Sequence, residues 1–463
     1  MESCVLSFLE RKGYRINTSA MEIINTCDDW YANRKIDGFH ERRTLQGDNY
    51  ELSRLNFAKR CCSDDANLCE VIEINAGDGE QNRVLNKILS DSKFNTQYRK
   101  QLEKTSADGT TACYIRLDNA VLYDDNSVKG GEIKLNYTEA NAFIPLTVEN
   151  DVATEAAFWG STLRNGKKQT TLVMFTLNEN KLYTAETHVF DQTGSEQKEY
   201  EKILQLGDVK PFAVMRNAEV NNLDDMEGYG LPKLWNAIST LKVIDLCYNV
   251  LYGDLDKSEK IILVNELLCE FDHKSGKPKL TPEQKKLFVF TGEKLPEEKG
   301  LIQEYNPEIR IDQITKVFEL ALSLLSMSFG YGTKKYSFEN GQIVTATEYV
   351  GEKQDQLQEL NRQRQEAVTY IQDICRAVMW FSNQFHNTSY NLDADICVDF
   401  DDSYITDKET ELERKRNDAL TFEIPQLTVW YLMDAYNLTE EEAQALVLQK
   451  QEKEENEEDE PED

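Results

Sequence analysis

The sequence predicts an α+β protein, because a strand-rich segment precedes several long helical segments. Between about residues 100 and 215, apolar and polar residues alternate around glycine-containing turns, which is typical of antiparallel sheet. Beyond residue 228, apolar residues recur at steps of three and four, which indicates helices that bury one face. The chain has 463 residues. That is too long for one compact core, so we expect roughly two to four modules.

Charge and composition narrow the classes of function. The chain carries 52 Lys and Arg against 83 Asp and Glu, a formal net charge of −31, and 40% of its residues are hydrophobic. Proteins that bind nucleic acid tightly usually carry an excess of basic residues. The excess of acidic residues here therefore argues against tight DNA binding. The most apolar stretch, 317–330, contains Glu319 and is too short to cross a bilayer. The first residues lack the features of an export signal, so we expect an intracellular protein without a membrane span.

Two glycine-containing pairs predict turns within the strand-rich part. Gly130-Gly131 lies between alternating segments, and Asn165-Gly166 is a strong signal for a two-residue hairpin. The first hundred residues instead mix short helical patterns with polar breaks. The ten cysteines never form a CxxC pair, so we expect free reduced thiols.

The first long helix is predicted over 229–256. Pro232 lies near its first turn and Gly253 near its expected end. Its apolar stripe consists of Leu231, Leu234, Ile238, Leu241, Ile244, Tyr248 and Leu251.

An insert at 257–309 separates this helix from the next. Strand candidates at 260–268 and 286–293 flank a Lys-rich turn, and the insert carries a net charge of −1 within a very acidic chain. The second helix follows Pro307, with a stripe of Ile311, Ile314, Phe318, Ala321 and Leu325.

A third helix is predicted after the Gly-rich segment 330–344. Thr345 and Glu348 form a capping box, and the helix can extend to about Gln384, on the order of 60 Å. Its first half is polar, so we expect that half to lie at a subunit interface or in water. A strand at 394–402 and helices at 406–420 and 438–451 follow, before an acidic tail, 452–463, that we expect to be disordered.

Catalytic motifs are weak. The segment GSTLRNGKKQ (160–169) has the wrong glycine spacing for a phosphate-binding loop and places Lys168 where Ser or Thr is required. Asp399, Asp401 and Asp402 leave open a metal-dependent nuclease or hydrolase. No Ser, Cys or His lies in a recognisable catalytic signature, so we expect neither an enzyme nor a cofactor.

Four strings, in a fixed order, are similar to those of a known family. They are RLNFAKRCCSDDANLCEVIEIN, NNLDDMEGYGLPKLWNAISTLKVIDLCYNVLYGDL, VTATEYVGEKQDQ and SYITDKETELERKRNDAL. Together with the order of the predicted elements, they resemble the portal proteins of tailed bacteriophages, in the branch with long non-contractile tails. The resemblance covers about residues 25–450.

The resemblance implies a ring, typically of twelve copies, at one capsid vertex. Double-stranded DNA would pass through its channel during packaging and ejection. Implied partners are the terminase large subunit, a head-completion or adaptor protein, and the scaffolding and major capsid proteins. The protein would belong to the virion, and to the host cytoplasm during assembly.

The resemblance also implies named regions. The wing would be 1–228 with 345–400, the stem helices 229–256 and 310–329, and the clip 257–309. Residues 330–344 would form the tunnel loop, and 401–463 the crown with its acidic tail.

Two groups of lysines are the candidate site residues. Lys334 and Lys335 in the tunnel loop would form a collar of cations that touches DNA phosphates, against the alternative of an ordinary solvated loop. The clip lysines would face acidic surfaces on the packaging motor or adaptor, unless they belong to a hydrated turn; they are Lys274, Lys277, Lys279, Lys285 and Lys286. An acidic wall would repel DNA and let it slide along the channel. A monomeric acidic interaction scaffold remains a further alternative.

Overall fold

The computed structural model divides the chain into two compact units. Unit 1 is Met1–Cys69 with Asn75–Cys397, and unit 2 is Glu70–Ile74 with Val398–Asp463. The structure describes residues 3–44, 47–77, 79–122, 128–164, 166–224, 226–256, 258, 261–265, 288–291, 302–305, 308–333, 335–336, 346–400, 408–422, 424–436, 438–439 and 442–448. No helix among these residues is long and apolar enough to cross a membrane.

Short helices dominate the first hundred residues, as predicted. The elements are α1 (Ser3–Arg11), α2 (Thr18–Tyr31), β1 (Glu41–Arg43), β2 (Asn49–Glu51), α3 (Phe57–Ala66), β3 (Val71–Asn75), α4 (Gly79–Asp91) and α5 (Phe94–Asp108). The start of α2 is capped by Asn17, whose side-chain oxygen accepts hydrogen bonds from the backbone of Ser19 and Ala20. These helices bury apolar side chains in unit 1, and β3 belongs to unit 2.

Antiparallel sheets fill the next hundred residues, so the α+β prediction is confirmed. The strands are β4 (Thr110–Asp118), β5 (Val121–Leu122), β6 (Val128–Lys129), β7 (Glu132–Glu139), β8 (Phe143–Glu149), β9 (Val152–Arg164), β10 (Lys167–Leu177), β11 (Tyr183–Phe190), β12 (Lys202–Gln205) and β13 (Phe212–Arg216). One sheet has the order β12-β11-β10-β9-β8, and a second has the order β13-β4-β7. Aromatic side chains join the two sheets: the ring centroid of Phe158 lies 4.8 Å from that of Tyr114 and 5.7 Å from that of Phe212.

One predicted turn is confirmed and the other is wrong. Arg164 pairs with Lys167, so β9 and β10 form a hairpin where the sequence predicts one. Gly130-Gly131 does not close a hairpin, because β6 ends just before it and β7 pairs with β4 instead. Gly131 is needed there because a Cβ atom would lie 2.8 Å from the carbonyl oxygen of Asp118.

The helices predicted before and after the insert are confirmed, and they pack as an antiparallel pair. They are α6 (Lys233–Asp256) and α7 (Ile311–Ser328). Arg310 forms two short contacts with Asp254, at 2.8 and 2.9 Å, between the end of α6 and the start of α7. The helix α6 ends at Asp256, the predicted end, which lies three residues beyond Gly253.

The described residues between α6 and α7 include three strands. The two strand candidates correspond to β14 (Ile261–Asn265) and β15 (Phe288–Thr291), and β16 (Ile302–Tyr305) is a third that periodicity did not indicate. The central strand β14 pairs parallel with β15 and antiparallel with β16.

The predicted long helix is α8 (Ala346–His386), 41 residues long. Its second half packs against β4 and β13 and buries Tyr370, Ile371 and Ile374, each contributing about 1.5–3 kcal/mol. The expectation that its polar half faces water or another subunit is wrong for several side chains. Glu359 and Gln363 are buried within unit 1. The capping residue Thr345 lies outside the described residues.

Unit 2 combines one small sheet with helices. The sheet joins β3 to β17 (Cys397–Phe400), which confirms the strand predicted near 394–402. The helices are α9 (Lys408–Phe422), which was predicted, and α10 (Pro425–Tyr436), which was not; they pack against each other. Residues 442–448 are helical, within the helix predicted at 438–451, and the acidic tail lies outside the described residues.

Candidate functional site

Only one of the seven candidate lysines lies in the described part of the chain. Lys335 is half-buried, and its Nζ lies 5.8 Å from the ring centroid of Tyr331. Lys334 lies outside the described residues, and so do the clip lysines, namely Lys274, Lys277, Lys279, Lys285 and Lys286. Their predicted roles therefore stay predictions.

The metal alternative gains no support from the described residues. Asp399 is exposed on β17, while Asp401 and Asp402 lie outside the described part of the chain. In the part that is described, no three His, Cys, Asp or Glu side chains are placed to hold a metal ion. The described cysteines are unpaired thiols.

Around Lys335 the structure shows how the segment after α7 begins. The backbone N–H of Gly330 donates to the Met327 carbonyl at 3.0 Å, and that of Tyr331 donates to the Ser326 carbonyl at 3.0 Å. This pair of bonds is a Schellman motif, which requires a left-handed residue, and Gly330 has φ of +75°. A Cβ atom on Gly330 would also lie 3.2 Å from Cγ of Glu359 on α8. The positive φ therefore favours glycine here, and a Cβ atom would in addition require the Glu359 side chain to shift slightly.

A buried ionic cluster lies beneath this turn. Lys233, at the start of α6, is fully buried; its Nζ lies 2.8 Å from Oδ1 of Asp65 and 2.9 Å from Oε1 of Glu359. Arg362 pairs with the other oxygen of Glu359 at 2.8 Å. Two positive and two negative groups therefore balance one another where uncompensated charge is costly.

Electrostatics keep Lys233 charged. Burial by itself lowers the pKa of Lys233, but the facing carboxylates of Asp65 and Glu359 raise it above the ordinary value of 10.5. The nearby carboxyl group of Glu219 is also affected. Its pKa is raised, chiefly by burial, although the charge of Lys233 opposes that rise.

Two tyrosines connect the turn to α3. The hydroxyl of Tyr331 donates to Oδ1 of Asp65 at 2.8 Å, and the hydroxyl of Tyr336 donates to Oδ2 of Asp64 at 3.2 Å. Burial, followed by the charge of Asp65, raises the pKa of Tyr331 well above its ordinary value. Burial is also the main cause of the raised pKa of Tyr336. Both phenols therefore keep the proton that they donate.

Sequence reasoning missed every member of this cluster. In the sequence, Lys233 is an ordinary polar residue in the first turn of a predicted helix. No pattern distinguishes Asp64 and Asp65 from the other acidic residues, of which the chain has 83 in all. A usable signal was the spacing G-Y-G-T-K-K-Y, in which tyrosines bracket the two lysines. A buried tyrosine hydroxyl usually finds a hydrogen-bond partner, so two tyrosines in one short segment are a cue for such contacts.

A second feature is an apolar face on the helix pair that the described chain leaves about half exposed. Val317, Leu320, Leu324 and Met327 on α7 are between 47% and 61% exposed. Their spacing of three, four and three residues places them on one stripe, as in the seam of a coiled coil. On α6, Val243 and Val250 are 40% and 42% exposed. Large apolar side chains at such spacing are typical of helices that pack against other helices.

Comparison with known proteins yields little. No family model matches the sequence, and no curated protein matches it. Among solved structures, the chain is similar to one in "Neck of native GTA particle computed with C12 symmetry", with a TM-score of 0.40 and 10% identity. The match covers 84% of this chain and 89% of that one. A likeness this loose carries no weight in assigning a function.

Proposed function

We propose that this chain is a portal protein of a tailed bacteriophage, which forms a ring around a DNA channel at one capsid vertex. The observation that carries the proposal is the order of elements. A β-rich part precedes α6. After α6 come an insert whose described residues form three strands, then α7, a turn that begins at Gly330, the 41-residue α8 and terminal helices. This is the order on which the resemblance of the sequence to portal proteins rests.

The exposed stripe on α7 supports assembly. A chain that leaves Val317, Leu320, Leu324 and Met327 in water loses the free energy that burying them would supply, about 1.5–3 kcal/mol for each fully buried side chain. Contact between this stripe and α6 of the next copy would repeat around an axis, which generates a closed ring if the rotation closes.

The net charge of the chain favours a channel through which DNA slides over a protein that binds DNA tightly. A net charge of −31 per copy repels the DNA backbone, so that DNA meets few deep binding minima along the wall. In this proposal Lys334 and Lys335 supply the transient phosphate contacts. The clip lysines would dock the terminase or the adaptor, and the protein itself would carry out no catalysis.

The native mass of the full-length protein tests the ring. Twelve copies of the 53.4 kDa chain weigh about 640 kDa, and negative-stain images should show a central hole. Leu320→Arg places a charge in the proposed interface and should shift the mass towards a single chain. Leu163→Arg is the matched control, because Leu163 is 79% exposed at the β9–β10 hairpin. Equal masses for the two variants, or a wild type that stays at 53.4 kDa, would count against the ring.

A further inference from the structure

The segment after α7 is fastened by two hydroxyl groups to adjacent carboxylates. Tyr331 and Tyr336 donate to Asp65 and Asp64, which lie side by side near the end of α3. A hydrogen bond to a charged acceptor is worth more than one between neutral groups. Two such bonds from one short segment to one helix turn therefore hold that segment in a defined position.

Each carboxylate is itself held in place. Lys233 fixes Asp65 at 2.8 Å, and Arg60 fixes Asp64 at 3.1 Å. The backbone N–H of Tyr336 donates to Oγ of Ser326 at 3.1 Å, which ties the same segment to α7. Three elements, α3, α6 and α7, therefore meet around Tyr331 and Tyr336.

The long helix α8 touches the same junction. Glu359 forms an ion pair with Lys233, and its side chain packs against Gly330. A displacement of α8 would therefore change both the partner of Lys233 and the contact beneath the turn. Lys335 lies over the ring of Tyr331, so its position also depends on whether that ring stays docked.

We propose that Tyr331 and Tyr336 form a latch that holds the described residues after α7, 330–333 and 335–336, on α3, and that Lys233 couples this latch to α8. With the latch closed, Lys335 lies beside the docked ring of Tyr331. When the hydroxyl bonds break, Tyr331 and Tyr336 leave α3. The inference concerns the single chain. It is therefore independent of the ring and of the proposed function.

Hydrogen–deuterium exchange of the full-length protein, read by mass spectrometry, tests the latch. Tyr331→Phe and Tyr336→Phe each remove one hydroxyl and keep the ring. We expect exchange of the amides in 330–336 to rise by about tenfold or more in each variant. Tyr229→Phe is the matched control, because this buried tyrosine donates to the Phe143 carbonyl at 2.9 Å, away from the latch. It should leave exchange in 330–336 unchanged.

The coupling to α8 has its own test. Glu359→Gln keeps the size of the side chain but weakens the ion pair with Lys233, and it should also raise exchange in 330–336. Unchanged exchange in that segment in both tyrosine variants would overturn the latch, as would a rise spread evenly over the whole chain. If Tyr331→Phe does not yield folded protein, Tyr336→Phe decides, since Tyr336 is only half-buried. A rise in the tyrosine variants without one in Glu359→Gln would overturn the coupling.

Discussion

Replacing Lys233 with methionine should destabilise the protein strongly. Methionine preserves most of the volume of the side chain but removes the ammonium group that lies 2.8 Å from Asp65 and 2.9 Å from Glu359. Asp65 then keeps the hydroxyl of Tyr331, and Glu359 keeps Arg362. One negative charge in the buried cluster is left without compensation. Removing one partner of a buried ion pair typically costs about 3–5 kcal/mol of unfolding free energy, so we expect about 4 kcal/mol.

Urea denaturation of full-length protein at neutral pH measures this cost. Lys242→Met is the control on the same helix, since Lys242 is half-buried and lies 5.6 Å from the ring centroid of Phe39. It should change the unfolding free energy by less than about 1 kcal/mol. The double variant Lys233→Met with Glu359→Gln removes one charge of each sign and should recover part of the loss.

The pH dependence of this cost follows from the raised pKa of Lys233. A lysine whose folded pKa lies above its unfolded value of 10.5 contributes its full stability below that value. The contribution is lost only as the pH rises through the folded pKa. The cost of Lys233→Met should therefore be the same across the neutral range. The reasoning is refuted if Lys233→Met costs no more than Lys242→Met.

Two further predictions concern buried groups near the start of β4. Burial raises the pKa of Asp108 to about 8, although the charge of Lys104 opposes the rise. Because the unfolded chain loses this proton at a lower pH than the folded chain, folding stability should fall as pH rises from about 4 to about 8. Asp108→Asn should abolish that fall in thermal denaturation and stabilise the protein by about 2 kcal/mol or more at pH 9; an unaltered pH profile would contradict this. Gly109→Ala should cost at least about 3 kcal/mol, because a Cβ atom would lie 2.2 Å from the carbonyl oxygen of Gly230 at φ of +82°. Gly166→Ala is the control, with positive φ but open space, and should cost only about 1 kcal/mol; equal melting temperatures would contradict the steric argument.

The pattern of neighbouring residues was sufficient to predict most of the secondary structure. The helices α6, α7 and α8 and the β9–β10 hairpin were predictable because helical periodicity and a two-residue turn are encoded by neighbouring residues. Gly130-Gly131 was misread as a hairpin turn, since a glycine indicates freedom of the backbone but not how that freedom is used. Gly131 instead permits a close approach to the carbonyl oxygen of Asp118.

The sequence by itself determined the α+β class, the acidic surface and the order of helices and strands, because each depends on composition or on residues close in the chain. Only the tertiary structure decided which polar residues are buried. Lys233 and Asp65 are 168 positions apart, and Glu359 comes from a third element. No periodicity along the chain relates three such residues. They form one cluster because folding brings α3, α6 and α8 together, and because a buried charge requires a partner wherever the fold supplies one.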